Sequence, residues 1–123
     1  MATTYDPNNV FARILRGEIP CKTVYESDHA LAFHDINPAA PTHILVIPKG
    51  AYVDFDHFTA AASDAEIAGY VKAVGEVARQ AGVVESGYRI LSNCGRDAHQ
   101  EVPHLHIHIF AGRDLGGMIA KAK

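Results

Sequence analysis

Pro103-His104-Leu105-His106-Ile107-His108-Ile109-Phe110 places three of the chain's eight histidines at alternate positions. Extended backbone sends successive side chains to opposite faces. His104, His106 and His108 therefore share one face of a strand, and Leu105, Ile107 and Ile109 share the other. The apolar row can pack on a core, which leaves the imidazole row to a cleft or to solvent. A metal site, a nucleophile with neighbouring helpers, and a solvated strand face all fit such a row.

The rest of the chain bounds the choice. At 123 residues and 48% hydrophobic, it is long enough for one domain with a core of its own, spanning 1–123. A net charge of −3 with no Lys/Arg cluster argues against a nucleic-acid footprint. No apolar run approaches the roughly 18 residues a membrane span requires. Met1-Ala2-Thr3-Thr4-Tyr5-Asp6-Pro7 has neither the basic start nor the apolar segment of a secretory signal. Cys21 and Cys94 are isolated, with no Cys-x-x-Cys pair; a disulfide stays open, and a reduced cytoplasmic protein is the expectation.

Local signals give an order of elements. Asn8 or Asn9 caps a short helix from Val10 to Arg16, which Gly17 ends. Lys22–Tyr25 and Ala30–His34 read as strands about a Ser27-Asp28 turn, and His43–Ile47 as a third strand closed by Pro48. Between them lies a proline-bounded loop from Asp35 to Pro41. Ser63 and Glu66 form a capping box, and Ile67, Tyr70, Val71, Val74, Val77, Ala78 and Ala81 recur at helical spacing until Gly82. Tyr88–Asn93 is a fourth strand, leading through a polar loop into the histidine strand. The sum is an α+β fold: a mainly antiparallel five-stranded sheet, one short N-terminal helix and one long central helix.

Two chemistries compete for the imidazoles. A structural zinc site wants four close ligands, and the cysteines are remote from the strand. His-x-His can present two nitrogens to one ion, but the outer pair of three lie roughly 13 Å apart at Cα along a strand. Attack at phosphorus suits the pattern better. A neutral imidazole is a competent nucleophile near pH 7, and its second nitrogen can be fixed by a carbonyl. The loop Asn93 to Glu101 supplies polar groups and backbone N–H donors that can cradle an anion.

The histidine segment resembles the His-φ-His-φ-His-φ-φ signature of the histidine triad (HIT) superfamily of nucleotidyl hydrolases and transferases. The likeness extends to Phe11–Cys21 with its Gly17-Glu18-Ile19-Pro20, to Ala32–Pro38, to Ala40–Lys49 and to Gly112–Met118, and it is similar to the bacterial side of the Hint branch. The resemblance implies a purine nucleoside phosphoramidase with no cofactor. It acts on purine nucleotide substrates as a homodimer whose sheet continues across the two-fold axis. It carries His106 over as the nucleophile, His104 and His43 as supports, and His108 as a phosphate contact. Asp35 would take the ribose hydroxyls. Phe11, Ile14, Phe33 and Ile36 would hold the purine, with Val102 beside them. Asn93 and the backbone around Gln100 and Glu101 would hold the phosphate.

Each assignment has a plainer alternative: Phe33 and Ile36 as core residues, Asp35 as a turn former, His43 as a buried structural histidine. The chain also departs from the family. Asn9 and Ala12 stand where some members carry the cysteines of a zinc site, so no metal is expected. Glu101 replaces the serine of animal members. His99 stands where glycine is common, which would narrow the loop or cost it a left-handed residue. Pro103 would withhold one N–H from the sheet.

Overall fold

The computed structural model describes residues 4–119. Helix α1 (Val10–Leu15) precedes β1 (Thr23–Glu26), β2 (Ala30–His34) and β3 (Thr42–Pro48). Helices α2 (Phe55–Ala61) and α3 (Asp64–Gln80) follow, then β4 (Arg89–Leu91), a 3-10 turn (Arg96–Ala98) and β5 (Ile107–Ala111). The strands form one antiparallel sheet in the order β1-β2-β3-β5-β4.

Each face of the sheet buries a different set of side chains. Residues two apart in β3 share a face, so Ile44 and Val46 point one way while His43, Leu45 and Ile47 point the other. Ile44 and Val46 join Ala30, Ala32, Leu105 and Ile109 beneath Tyr70, Ala73, Val74 and Val77 of α3. The Ser63–Glu66 capping box starts that helix, and its apolar stripe meets the sheet. The Tyr70 hydroxyl is buried there and donates to the Val46 carbonyl at 2.7 Å, so it is not an orphan. On the other face Leu31, Phe33, Leu45 and Ile47 are covered by Phe11 of α1. Fully burying each such side chain stabilises by about 1.5–3 kcal/mol. The short helix α1 therefore roofs the face on which the odd-numbered positions of β3 emerge.

Register decides what stands there. β5 pairs with β3 so that His108 lies opposite Leu45 and Phe110 opposite His43. The even-numbered residues of the histidine segment thus join the α1 face, and Leu105, Ile107 and Ile109 join the α3 face. The expected split of apolar from imidazole side chains holds.

Three sequence expectations change. The strand begins only at Ile107, so His104 and His106 precede the ladder, and Pro103 costs the sheet no hydrogen bond. Of the two settings expected for the imidazole row, a cleft or solvent, solvent drops out: His104 is fully buried, His106 is 7% exposed and His108 is half-buried. A second central helix, α2, was not expected. Asp54 caps it by accepting from the His57 N–H at 2.8 Å, but Phe58 is its one buried residue. Two turns with a single apolar anchor leave no periodicity to read.

Candidate active site

The histidine tautomers follow from partners that can act in only one sense. A backbone carbonyl can only accept, so His104 Nε2–H donates to the Pro48 oxygen at 2.9 Å. His104 Nδ1 is then an acceptor, and the Tyr5 hydroxyl donates to it at 2.5 Å. The His104 carbonyl in turn accepts from His106 Nδ1–H at 2.8 Å. That leaves His106 Nε2 unprotonated, its lone pair free at the cleft that His106 lines.

A second chain runs alongside. An amide N–H can only donate, so Ala39 N–H donates to His43 Nδ1 at 3.0 Å. His43 Nε2–H then donates to His108 Nδ1 at 2.9 Å. His108 must carry its proton on Nε2, and that buried N–H has no acceptor among the described residues. A buried donor without a partner costs about 1–3 kcal/mol, so it marks a place where a ligand atom is wanted. Both chains end in a cleft of about 350 Å³.

Burial keeps the imidazoles neutral. It pushes His104 down to about 4, against the bond from its ring to the Pro48 carbonyl, which works the other way. It also lowers His108 to about 4, and positive charge on neighbouring His106 or His43 would push it further down. His106 is lowered by burial too, partly offset by the His104 carbonyl and by the carboxylates of Asp35 and Glu101. His43 is lowered by burial and raised in part by Asp35. At neutral pH the uncharged form of all four rings is therefore favoured, and His106 Nε2 offers a lone pair without first losing a proton.

The cleft walls are mostly apolar. Phe11 meets the His106 ring edge-on at 5.0 Å between centroids and meets Phe33 at 5.6 Å, which holds the imidazole plane. Ile14 and Val102 complete the wall, and Ile36 stands at the rim, 91% exposed. A large apolar side chain left that open on a cleft suits a ligand with a flat apolar face. Asp35 lies at the same rim. Its Oδ1 accepts from the Asn37 N–H at 2.7 Å, so it does shape the turn, while Oδ2 lies 3.5 Å from His43 Nε2.

The structure brings Phe11, Ile14, Phe33, Asp35, Ile36, Glu101, Val102, His106 and His108 together around one cleft. His43 and His104 stand behind them as hydrogen-bonding supports. Asn93 and Gln100 are not in the lining. Gln100 braces the loop instead: its Nε2 donates to the carbonyls of Val53 and Val102, and its Oε1 accepts from the Gly95 N–H. Its own N–H is spent on the Gly95 carbonyl, whereas the N–H groups of Glu101 and Val102 have no acceptor among the described residues. His99 keeps the left-handed conformation, at φ 59 and ψ 44, so histidine here bears a strain glycine would avoid. Two supports escaped the sequence reading. Tyr5 holds His104 from a segment without a motif, and the Ser92 hydroxyl donates to the His106 carbonyl at 2.8 Å.

A cation could be shared by Asp35, His43 and His108, whose ligand atoms lie within 4.8 Å of one another. In the structure two of those nitrogens are engaged with each other. Asn9 and Ala12, at the positions of the family's occasional cysteine pair, serve the helix: Asn9 Oδ1 accepts from the Ala12 N–H at 2.9 Å.

A five-stranded antiparallel sheet with two histidine chains converging beneath a roofing helix is the arrangement of a histidine triad protein. The chain belongs to the HIT domain family, which matches residues 16–115. It is 79% identical over 121 residues to an uncharacterized 13.2 kDa HIT-like protein of Azospirillum brasilense, covering 98% of this chain and 99% of that one. It is 40% identical over 111 residues to the purine nucleoside phosphoramidase of Escherichia coli K12, covering 90% and 92% of the two chains. A solved histidine triad protein from Clostridium difficile is similar with a TM-score of 0.82 at 39% identity, covering 94% of this chain and all of that one.

Proposed function

We propose that this protein hydrolyses the P–N bond of purine nucleoside 5′-phosphoramidates through a nucleotidyl-histidine intermediate, working as a homodimer. The observation that carries the reading is the pair of fixed tautomers. They leave a bare His106 Nε2 and an unpartnered His108 Nε2–H on two residues that line one cleft. A lone pair and a neutral donor side by side fit a phosphoryl group, whose phosphorus takes the first and whose oxygen accepts from the second. The phosphoramidase name of the Escherichia coli relative supports the choice of bond.

In the first step His106 Nε2 attacks phosphorus and a P–N bond to the imidazole forms. The bond to the substrate's amine breaks, and the amine leaves with the electron pair and takes a proton from water at the mouth. Nδ1–H stays on the imidazole, and the His104 carbonyl stabilises the positive charge that the ring acquires. His108 Nε2–H and the free N–H groups of Glu101 and Val102 hold the phosphoryl oxygens. In the second step water attacks phosphorus, Nε2 departs with its electron pair, and the nucleoside monophosphate is released with a proton to solvent. The purine lies between Phe11, Ile14, Phe33 and Ile36, and the free oxygen of Asp35 takes the ribose hydroxyls.

A turnover assay with adenosine 5′-phosphoramidate, a diadenosine polyphosphate and adenosine monophosphate tests the reading. Release of monophosphate from the phosphoramidate at the highest kcat/KM is expected. Preference for the polyphosphate would make the protein a dinucleoside polyphosphate hydrolase. Binding without turnover would make it a nucleotide-binding scaffold.

A further inference from the structure

We propose that the cleft selects its substrate by charge, with Glu101 as the specificity-determining residue. It accepts nucleotidyl amides whose leaving group is neutral or cationic and turns away nucleotides that carry further negative charge. The inference rests on the proposed function and goes beyond it in naming the class of leaving group.

Sites that transfer phosphoryl groups usually oppose the anion with Arg, Lys or a metal ion. This cleft is lined by neither Lys nor Arg; its charged lining residues are the carboxylates Asp35 and Glu101. The hydrogen-bond chains give His106 a bare Nε2 and His108 an Nε2–H donor, neither of them a counter-charge. Neutral donors, the His108 Nε2–H and two amide N–H groups, suffice for the single charge of a nucleoside phosphoramidate. A second or third charge on the far side of phosphorus would find no counter-charge in the lining. It would meet Glu101 instead, which lines the same cleft as His106. Glu101 forms no ion pair among the described residues, and the loop's single arginine, Arg96, is paired with Asp97. Asp35 is held by the Asn37 turn and serves the ribose in the proposed reading, so Glu101 is the lining carboxylate left to face a leaving group.

The test uses three adenosine 5′-phosphoramidates of equal length whose amines end in a methyl, an ammonium or a carboxylate group. Wild type and Glu101→Gln are compared, since glutamine keeps the shape and the backbone N–H. For wild type, kcat/KM for the ammonium substrate should exceed that for the carboxylate substrate about tenfold, the effect of one charge pair in a half-desolvated site. Glu101→Gln should narrow the ratio at least threefold, and 0.5 M salt should narrow it further in wild type. Turnover with the same ratio in both proteins would overturn the charge selection and leave the phosphoramidase reading standing. No turnover of any of the three by wild type would sink that reading instead. Binding would then decide the charge question: the Kd for ADP relative to the methyl ester of AMP must fall in Glu101→Gln, and an unchanged ratio would overturn the proposal.

Discussion

Lowering the pH should destabilise this protein well before its carboxylates protonate. His104 and His108 are held at about 4 in the folded chain, against an ordinary value of 6.5. The folded state therefore refuses protons that the unfolded state binds, and stability is lost as pH falls from 6.5 towards 4. Above 6.5 neither state is protonated at these rings and the contribution is complete. At pH 5.5 each of the two costs about 1.4 kcal/mol relative to pH 7.5, so together about 3 kcal/mol, a sizeable part of a small domain's stability. His43 and His106 are shifted in the same direction and add to the loss. Urea midpoints measured between pH 7.5 and 5 read it directly, provided the slope with urea stays constant. The variant His108→Asn should lose its share of the pH dependence, about 1.4 kcal/mol between pH 7.5 and 5.5, whatever its absolute stability. A midpoint that stays flat down to pH 5 and falls only near 4 would place the loss on carboxylates, and the rings would not be the buried neutral groups described.

Tyr5→Phe removes the donor to a fully buried ring nitrogen, so it should cost about 1–3 kcal/mol in a thermal or urea melt. It should also lower kcat with little change in KM, because Tyr5 is a positioning residue that acts through His104 on the His106 tautomer. Asp35→Ala should weaken ribonucleotide binding by about 1.5–3 kcal/mol while affecting 2′-deoxy analogues less, as calorimetry will show; equal losses would remove Asp35 from the ribose site. Light scattering at micromolar concentration should find a homodimer. The edge strand β4, with Ile90 half exposed, offers an unpaired rim on which a sheet can continue.

The sheet was legible in the sequence because β2, β3 and the histidine segment alternate or run apolar over their whole length, and α3 carries both a capping box and a stripe. α2 was not, since one buried phenylalanine makes no period. The even–odd logic of His104 to Ile109 gave the correct faces although half the segment lies outside the ladder. The cleft residues came from the family likeness more than from spacing: Phe11, Phe33 and Asp35 lie on different elements, and only the fold brings them to His106. Tyr5 and Ser92 act through single hydrogen bonds across long stretches of chain, and single polar residues leave no pattern to read. Glu101, whose backbone was expected to serve the phosphate, lines the same cleft as His106, and its N–H has no acceptor among the described residues.

The central claim is that His106 becomes covalently nucleotidylated, and mass spectrometry of the intact protein after rapid quench with adenosine 5′-phosphoramidate tests it most directly. The wild type should gain the mass of one adenylyl group, mapped to the peptide holding His106, and His106→Asn should gain none and lose turnover while still binding nucleotide. A wild-type chain that turns over without an adduct, or a His106→Asn chain that turns over at the wild-type rate, would contradict the account.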